Sequence, residues 1–280
     1  MPTECYQGSA NAADPDGKGR DTKHLGKGFS SALVNINTPP HFTVVRFLPS
    51  PEFMFDDMTT HPSPPYVSRI HHASVIRADP ALAASLTAFI NEGYRYMSPA
   101  NRERWEPDLS DRLPSDDSIH QALGDDGLLA VVYEPNTQTP IACAATKRWE
   151  SDLEGYAEEG EAGWEIKMVT THIEWMKRGL AGQCVDKLID ELARQEQSRP
   201  KDGTGMVHEP LYIWIQAVEC LNGPFWLKKG GALVRSYDKP IGHWGSKCGY
   251  RLLVLLREID VEDRLLRVHH HMMHESGRRD

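Results

Sequence analysis

The sequence predicts an α/β (α+β) fold in which helices flank one predominantly antiparallel sheet containing a single parallel crossover. Three observations carry this. From Tyr66 onward, strand-like and helix-like runs follow in the mixed order β-α-α-β-β-β-α-β-α-β-β. Two β-prone runs, "LLAVVYE" and "PIACAATKRW", are separated only by the polar "PNTQT", which reads as a hairpin. Finally, "WEIKMVTTHIEWMKRGLAGQCVDKLIDEL", residues 164–192, opens like a strand, turns on small residues and closes like a helix, and the buried strand "LYIWIQAVE" follows it.

Taken in order, residues 1–40 are rich in Gly, Ser, Asp, Lys and Pro. They hold too few large apolar groups to offset the entropy of ordering, which predicts a flexible arm. Residues 41–65 form an extension whose "HFTVVRFL" is either a strand added to the domain or an anchoring segment. The regular domain spans residues 66–260. It starts with the strand-like "YVSRIHHASVIRA", and then "DPALAASLTAFINEGYRYM" carries a cap at Asp79 and Pro80 in the first turn, a helix start. Residues 98–117 read as a polar excursion that shapes a substrate site, and "SIHQALGDDG" as a short helix. After the hairpin, six acidic residues fall between Glu150 and Glu161; they form either a solvated loop or a patch attracting a cationic substrate. Beyond the crossover come a short helix at "GPFWLKKGG" and the strands "ALVRSYD" and "YRLLVLLREI". Residues 261–280 read as a polar, His-rich tail. Its "HHHMMH" has no second ligand cluster at recognised spacing, so no metal is expected.

The chain has 280 residues, 40% of them hydrophobic and 25% charged, enough for one substantial core. A formal net charge of −9 argues against wholesale capture of nucleic acid or an anionic membrane, leaving room only for a focused cationic pocket. The five cysteines are scattered, without a C-x-x-C pair. No run approaches the roughly 18 apolar residues of a membrane span. These features predict a reduced, intracellular setting, cytoplasmic or also nuclear, with no membrane and no nucleic-acid partner.

The segment Lys177-Arg178-Gly179-Leu180-Ala181-Gly182 has the chemistry of an anion site. A helix start exposes unpaired N–H groups and a partial positive charge, small residues permit close approach, and two cations stand at the rim. Neither G-x-x-x-x-G-K-[ST] nor G-x-G-x-x-G occurs, which removes the main support for nucleotide hydrolysis and hydride transfer. The stretch Met176 to Ala181 resembles the Q/R-x-x-G-x-G/A acyl-CoA turn of the GNAT superfamily of N-acetyltransferases, with Met176 in place of the usual Gln or Arg. The order of "INEGYRY", the hairpin, the 164–192 block, "LYIWIQAVE" and "FWLKKGG" is similar to the order of that family's elements, over about Tyr66 to Ile259.

This resemblance implies a GNAT-like mixed sheet with strands splayed at the acyl-CoA site, acetyl-CoA as co-substrate, and direct transfer to the primary amine of a small molecule or peptide. It implies that Val169, Thr170 and Thr171 hold the pantetheine and polarise the thioester through their backbone. Met176, Lys177, Arg178, Gly179, Leu180, Ala181 and Gly182 would hold the pyrophosphate. Glu165 falls where some members carry a general base, although strand alternation leaves open whether it faces the site or solvent; His172 is the alternative base. Trp226 stands at the family's acid tyrosine and lacks a transferable proton of that kind, so Tyr237 or solvent would protonate the thiolate. Glu219 stands at the family's asparagine position, with Asn222 three residues on as its substitute. The departures at Met176 and Trp226 keep a second reading in view, a noncatalytic acyl-CoA-binding or sensory module on the same fold.

Overall fold

The computed structural model describes residues 66–106, 111–115, 117–150, 156–199 and 210–276. The expected arm (1–40), the extension (41–65) and part of the acidic run lie outside the described residues.

In chain order the elements are β1 (Val67–His72), α1 (Ala73–Ala78), α2 (Pro80–Arg95), α3 (Pro99–Arg102), α4 (Ser118–Leu123), β2 (Leu128–Tyr133), β3 (Pro140–Arg148) and β4 (Trp164–Thr171). Then follow α5 (Leu180–Gln197), β5 (Leu211–Val218), α6 (Gly223–Lys228), β6 (Ala232–Lys239), β7 (Tyr250–Ile259) and α7 (Val261–Ser276). Seven strands form one sheet in the order β1-β2-β3-β4-β5-β7-β6. Every neighbouring pair is antiparallel except β4 and β5, which α5 joins as a crossover. This is the mixed, mostly antiparallel sheet with one parallel crossover that the sequence led us to expect.

One face of the sheet is covered by α5. Its Leu180, Cys184, Val185, Leu188, Ile189 and Leu192 sit at helical spacing and are buried against Trp164 and Ile166 of β4, Ile213 and Ile215 of β5 and Leu255 of β7. On the other face, α1, α2 and α4 cover the β1–β4 side through Ile76, Leu86, Phe89, Ile90 and Ile119. An aromatic cluster of Trp105, Trp149, Tyr156, Trp214 and Tyr250 covers the β5–β7 side. Each fully buried aliphatic side chain contributes about 1.5–3 kcal/mol, which is why α5, with five of them beside Cys184, anchors the crossover.

Helix α2 starts as its sequence demands, with the Asp79 carboxylate accepting from the Leu82 N–H at 3.0 Å ahead of Pro80. Two elements depart from the sequence reading. The strand ends at His72, and "ASVIRA" is the helix α1: the Ala73 N–H donates to the Gly127 carbonyl, and burial of Ala73 and Ile76 outweighs the β preference of Val75 and Ile76. Residues 261–276 are helical rather than a polar tail. Val261 is buried, Leu265 packs on the core, and Arg264 pairs with Asp190 (2.6 Å) and Asp186 (3.6 Å) of α5. His269 and His270 are exposed on this helix.

Candidate active site

The site begins with a defect in the sheet. The β4–β5 ladder holds only Trp164–Ile213, Glu165–Trp214 and Ile166–Ile215, yet β4 continues to Thr171 and β5 to Val218. Beyond Ile166 the strands part, and the β5-facing backbone of residues 167–171 has no ladder partner. Against β3, Lys167 pairs with Ala145 and Thr170 with Cys143, so Met168 and Val169 together oppose Ala144. This is a bulge, and Met168 takes φ 50 within it. Cys143 donates its thiol to the Met168 carbonyl at 3.3 Å, and burial raises that thiol's pKa well above the ordinary range.

The turn expected to hold a pyrophosphate follows directly. After a single turn of 3-10 helix at Ile173–Trp175, Lys177 (φ 62) and Gly179 (φ 76) both adopt left-handed conformations around Arg178. Left-handed residues spaced this way turn successive N–H groups toward one concavity. No side chain caps α5: its first intrahelical bond is Gln183 N–H to Gly179 carbonyl at 3.0 Å, so the N–H groups of Leu180, Ala181 and Gly182 precede the helical ladder. A Cβ on Gly179 would meet nothing within 4 Å, so the mouth of the turn is open. Arg178 lies over the Trp175 ring at 4.5 Å and donates to the Glu174 carbonyl, while Lys177 is exposed at the rim. Leu180 is buried in the core, so it offers the turn only its backbone, and Met176 is half-buried. Thr170 is buried against α2, where a Cβ on Gly93 would fall 2.0 Å from its Oγ1. Val169 packs toward the α5 side and Thr171 is half-buried.

Across the opening, β5 ends at Val218 and leads to Asn222, the exposed N-cap of α6. Asn222 and the α5 start therefore stand at the carboxyl ends of the two parted strands. Glu219, the residue at the family's asparagine position, is instead bound to Arg251 at 3.1 Å. Lys229, the C-cap of α6, lies over Gly182 and pairs with Asp186 of α5 at 3.0 Å, tying the two walls together.

Glu165 shares the sheet face of its register partners Lys147 and Trp214, opposite α5. Its carboxylate is only 14% exposed and binds the Lys167 ammonium at 2.9 Å. Tyr94 of α2 is near enough to Glu165 to sense its charge. Its ring is partly exposed, but burial around the hydroxyl pushes the phenol up to about 12; Arg112 opposes that shift, and Cys143 and the Glu165 charge add to it. Sequence reasoning placed Tyr94 only at the start of a variable substrate wall running to Asp117, and assigned no role to Lys167. The signals were the i, i+2 spacing of Lys167 from Glu165, which shares a strand face, and the place of Tyr94 in "INEGYRY".

Other expected groups are not brought to this point. His172 closes β4, takes the Glu174 N–H on Nδ1, and stands 3.8 Å from Glu92. Tyr237 lies on β6, three strand spacings from β4, on the order of 14 Å, packed on Tyr156. Trp226 is buried in the α5-side core. In the described part of the acidic run, Glu161 accepts from Arg235 and the Trp149 indole, and Glu158 stands 3.7 Å from Arg235. Burial alone would raise the Glu161 carboxyl, but hydrogen bonds from Arg235, the Glu158 N–H and Trp149 hold it below the usual range.

No protein-family model matches the sequence, and a search of curated proteins gave no match. Solved structures are similar in fold. A GNAT-family acetyltransferase from Streptococcus pneumoniae aligns at 10% identity over 69% of this chain and 100% of its own, with a TM-score of 0.46. A putative acetyltransferase from Salmonella typhimurium, solved with acetyl-CoA, aligns at 16% identity over 70% and 94%, with a TM-score of 0.45. The ribosomal-protein-S18-alanine N-acetyltransferase from Escherichia coli aligns at 10% over 69% and 95%, with a TM-score of 0.43.

Proposed function

We propose that this chain is an acyl-CoA-dependent N-acyltransferase that transfers an acetyl group from acetyl-CoA to a primary amine by direct attack. The observation that carries this reading is the parting of β4 from β5 directly below an uncapped helix start. Unpaired strand backbone and unpaired helix N–H groups then serve one elongated ligand with an anionic end. The amides of residues 179–182 and the rim cations suit a pyrophosphate, and the bulged strand at Val169–Thr171 suits an amide-bearing arm and a thioester carbonyl.

Within this reading, Glu165 takes the proton from the acceptor amine, directly or through water, and the amine nitrogen attacks the thioester carbon. The carbon–sulfur bond breaks, and the thiolate takes a proton from solvent, because Trp226 lacks an acidic proton and Tyr237 is remote. The acceptor enters on the Glu165 face, walled by α2 and the residues after it. A free-thiol release assay with acetyl-CoA against a mixed amine panel, with mass spectrometry of any product, tests this reading. Release of CoA that depends on an amine supports it; bound acetyl-CoA with no release for any amine favours the noncatalytic module. The specific support for that second reading is the burial of Trp226 where the family places its acid.

A further inference from the structure

The Glu165–Lys167 pair sits where the sheet opens. Lys167 is the first residue of β4 beyond the ladder to β5, and its ammonium is held 2.9 Å from Glu165 with only 22% of its side chain exposed. Withdrawing two charges from water in this way is costly, and replacing such a pair by apolar groups is often neutral or stabilising, so the fold itself does not require it. An amine hydrogen-bonded to the group that serves as base, on the strand that holds the thioester, has the chemical position of an acceptor.

From this geometry, and resting on the acyl-CoA reading above, we infer that Lys167 is itself an acetyl acceptor, a self-modification site inside the catalytic cleft. The Lys167 ammonium gives a proton to Glu165, and its freed Nζ attacks the carbonyl carbon of acetyl-CoA. A carbon–nitrogen bond forms and the carbon–sulfur bond breaks. The attacking nitrogen sheds a second proton to water as the amide forms, CoA leaves as the thiolate and takes a proton back from solvent, and Glu165 returns its own proton to water. The product, N-acetyl-Lys167, carries no charge. Glu165 then loses its internal counter-ion and is open to the amine of an external acceptor, so the first acetyl group primes the site for later ones.

The test uses the full chain incubated with acetyl-CoA and no added amine, followed by proteolysis and mass mapping, with calorimetry of acetyl-CoA binding run in parallel. The expected result is one acetyl group at Lys167, appearing ahead of any at the exposed Lys177 and Lys228. Lys167→Arg keeps the ion pair and loses the label. Glu165→Gln keeps acetyl-CoA affinity and slows the labelling of Lys167 by roughly 10²–10⁴-fold, the range for a lost general base. Wild-type protein that binds acetyl-CoA but leaves Lys167 unmodified overturns the inference while the acyl-CoA reading stands. Labelling of Lys167 at an equal rate in a folded Glu165→Gln variant also overturns it, because the transfer would then owe nothing to the site. Wild-type protein with no affinity for acetyl-CoA removes both.

Discussion

At the scale of single residues, two carboxylates on the same sheet face have opposite fates. Glu165 sits at the opening, and as base its replacement should separate binding from chemistry. Glu165→Gln is expected to keep acetyl-CoA affinity by calorimetry and to lower amine turnover by roughly 10²–10⁴-fold. That defect should shrink as pH rises and more of the amine is already neutral; unchanged turnover across the profile would move the role to His172 or a water chain. Glu161 is structural. Its folded pKa is depressed by Arg235, the Glu158 N–H and Trp149, so its stabilising effect is full above the unfolded carboxyl value of about 4.3 and fades as pH falls through the lower folded value. Glu161→Gln should cost roughly 1.5–3 kcal/mol at neutral pH. The gap between the two melting curves should close in strong acid; a gap independent of pH would show that packing, not the charge, is what the side chain supplies.

At the scale of elements, the turn and the helix contact make different demands on glycine. Gly179 is left-handed with open space beside it, so a side chain there is strained by about 1–2 kcal/mol, and the exposed turn relieves this by shifting its amides. Gly179→Trp is therefore expected to stay folded by circular dichroism and to lose acetyl-CoA affinity tenfold or more, about 1.4 kcal/mol; wild-type affinity would sink the pyrophosphate assignment. Gly93 lets α2 lie directly on Thr170. Gly93→Ala should push α2 off β4 and cost about 1–3 kcal/mol in denaturant unfolding, and a variant of wild-type stability would show that this contact yields freely. The hairpin and the β4–α5 passage were legible because period, small residues and caps agree there. Helix α1 was not, since its Val75 and Ile76 favour a strand until α2 and the sheet bury Ile76. Helix α7 was not, because its polar run hides Val261 and Leu265, and the acidic partners of Arg264 lie some 75 residues away in sequence on α5. The length of the β4–β5 ladder and the engagement of Glu165 by Lys167 are set by register and rotamer, which hydrophobic pattern does not encode.

At the scale of the whole molecule, every described element that builds the opening, from α2 to the residue after α6, lies between Pro80 and Lys229. A chain starting near His41 is accordingly expected to bind acetyl-CoA and turn over amines as the full chain does; a folded product of that deletion without affinity would mean that the first 40 residues complete the cleft. The three-pair ladder between β4 and β5 has a further consequence, mechanical in kind. It divides the sheet into two leaves, β1–β4 and β5–β7, each made of antiparallel neighbours and each continuous in sequence. Either leaf can complete its own ladders before the other exists, and they meet along a spine three residues long backed by α5. Such a spine is the compliant line of the molecule, where the leaves open like a book at a small fraction of the free energy of global unfolding. A ligand lying along it acts as binding thread. At a hundredfold excess over Kd it adds about 2.7 kcal/mol to the folded state, and hydrogen exchange should register that gain first in the amides of residues 167–171 and 216–218.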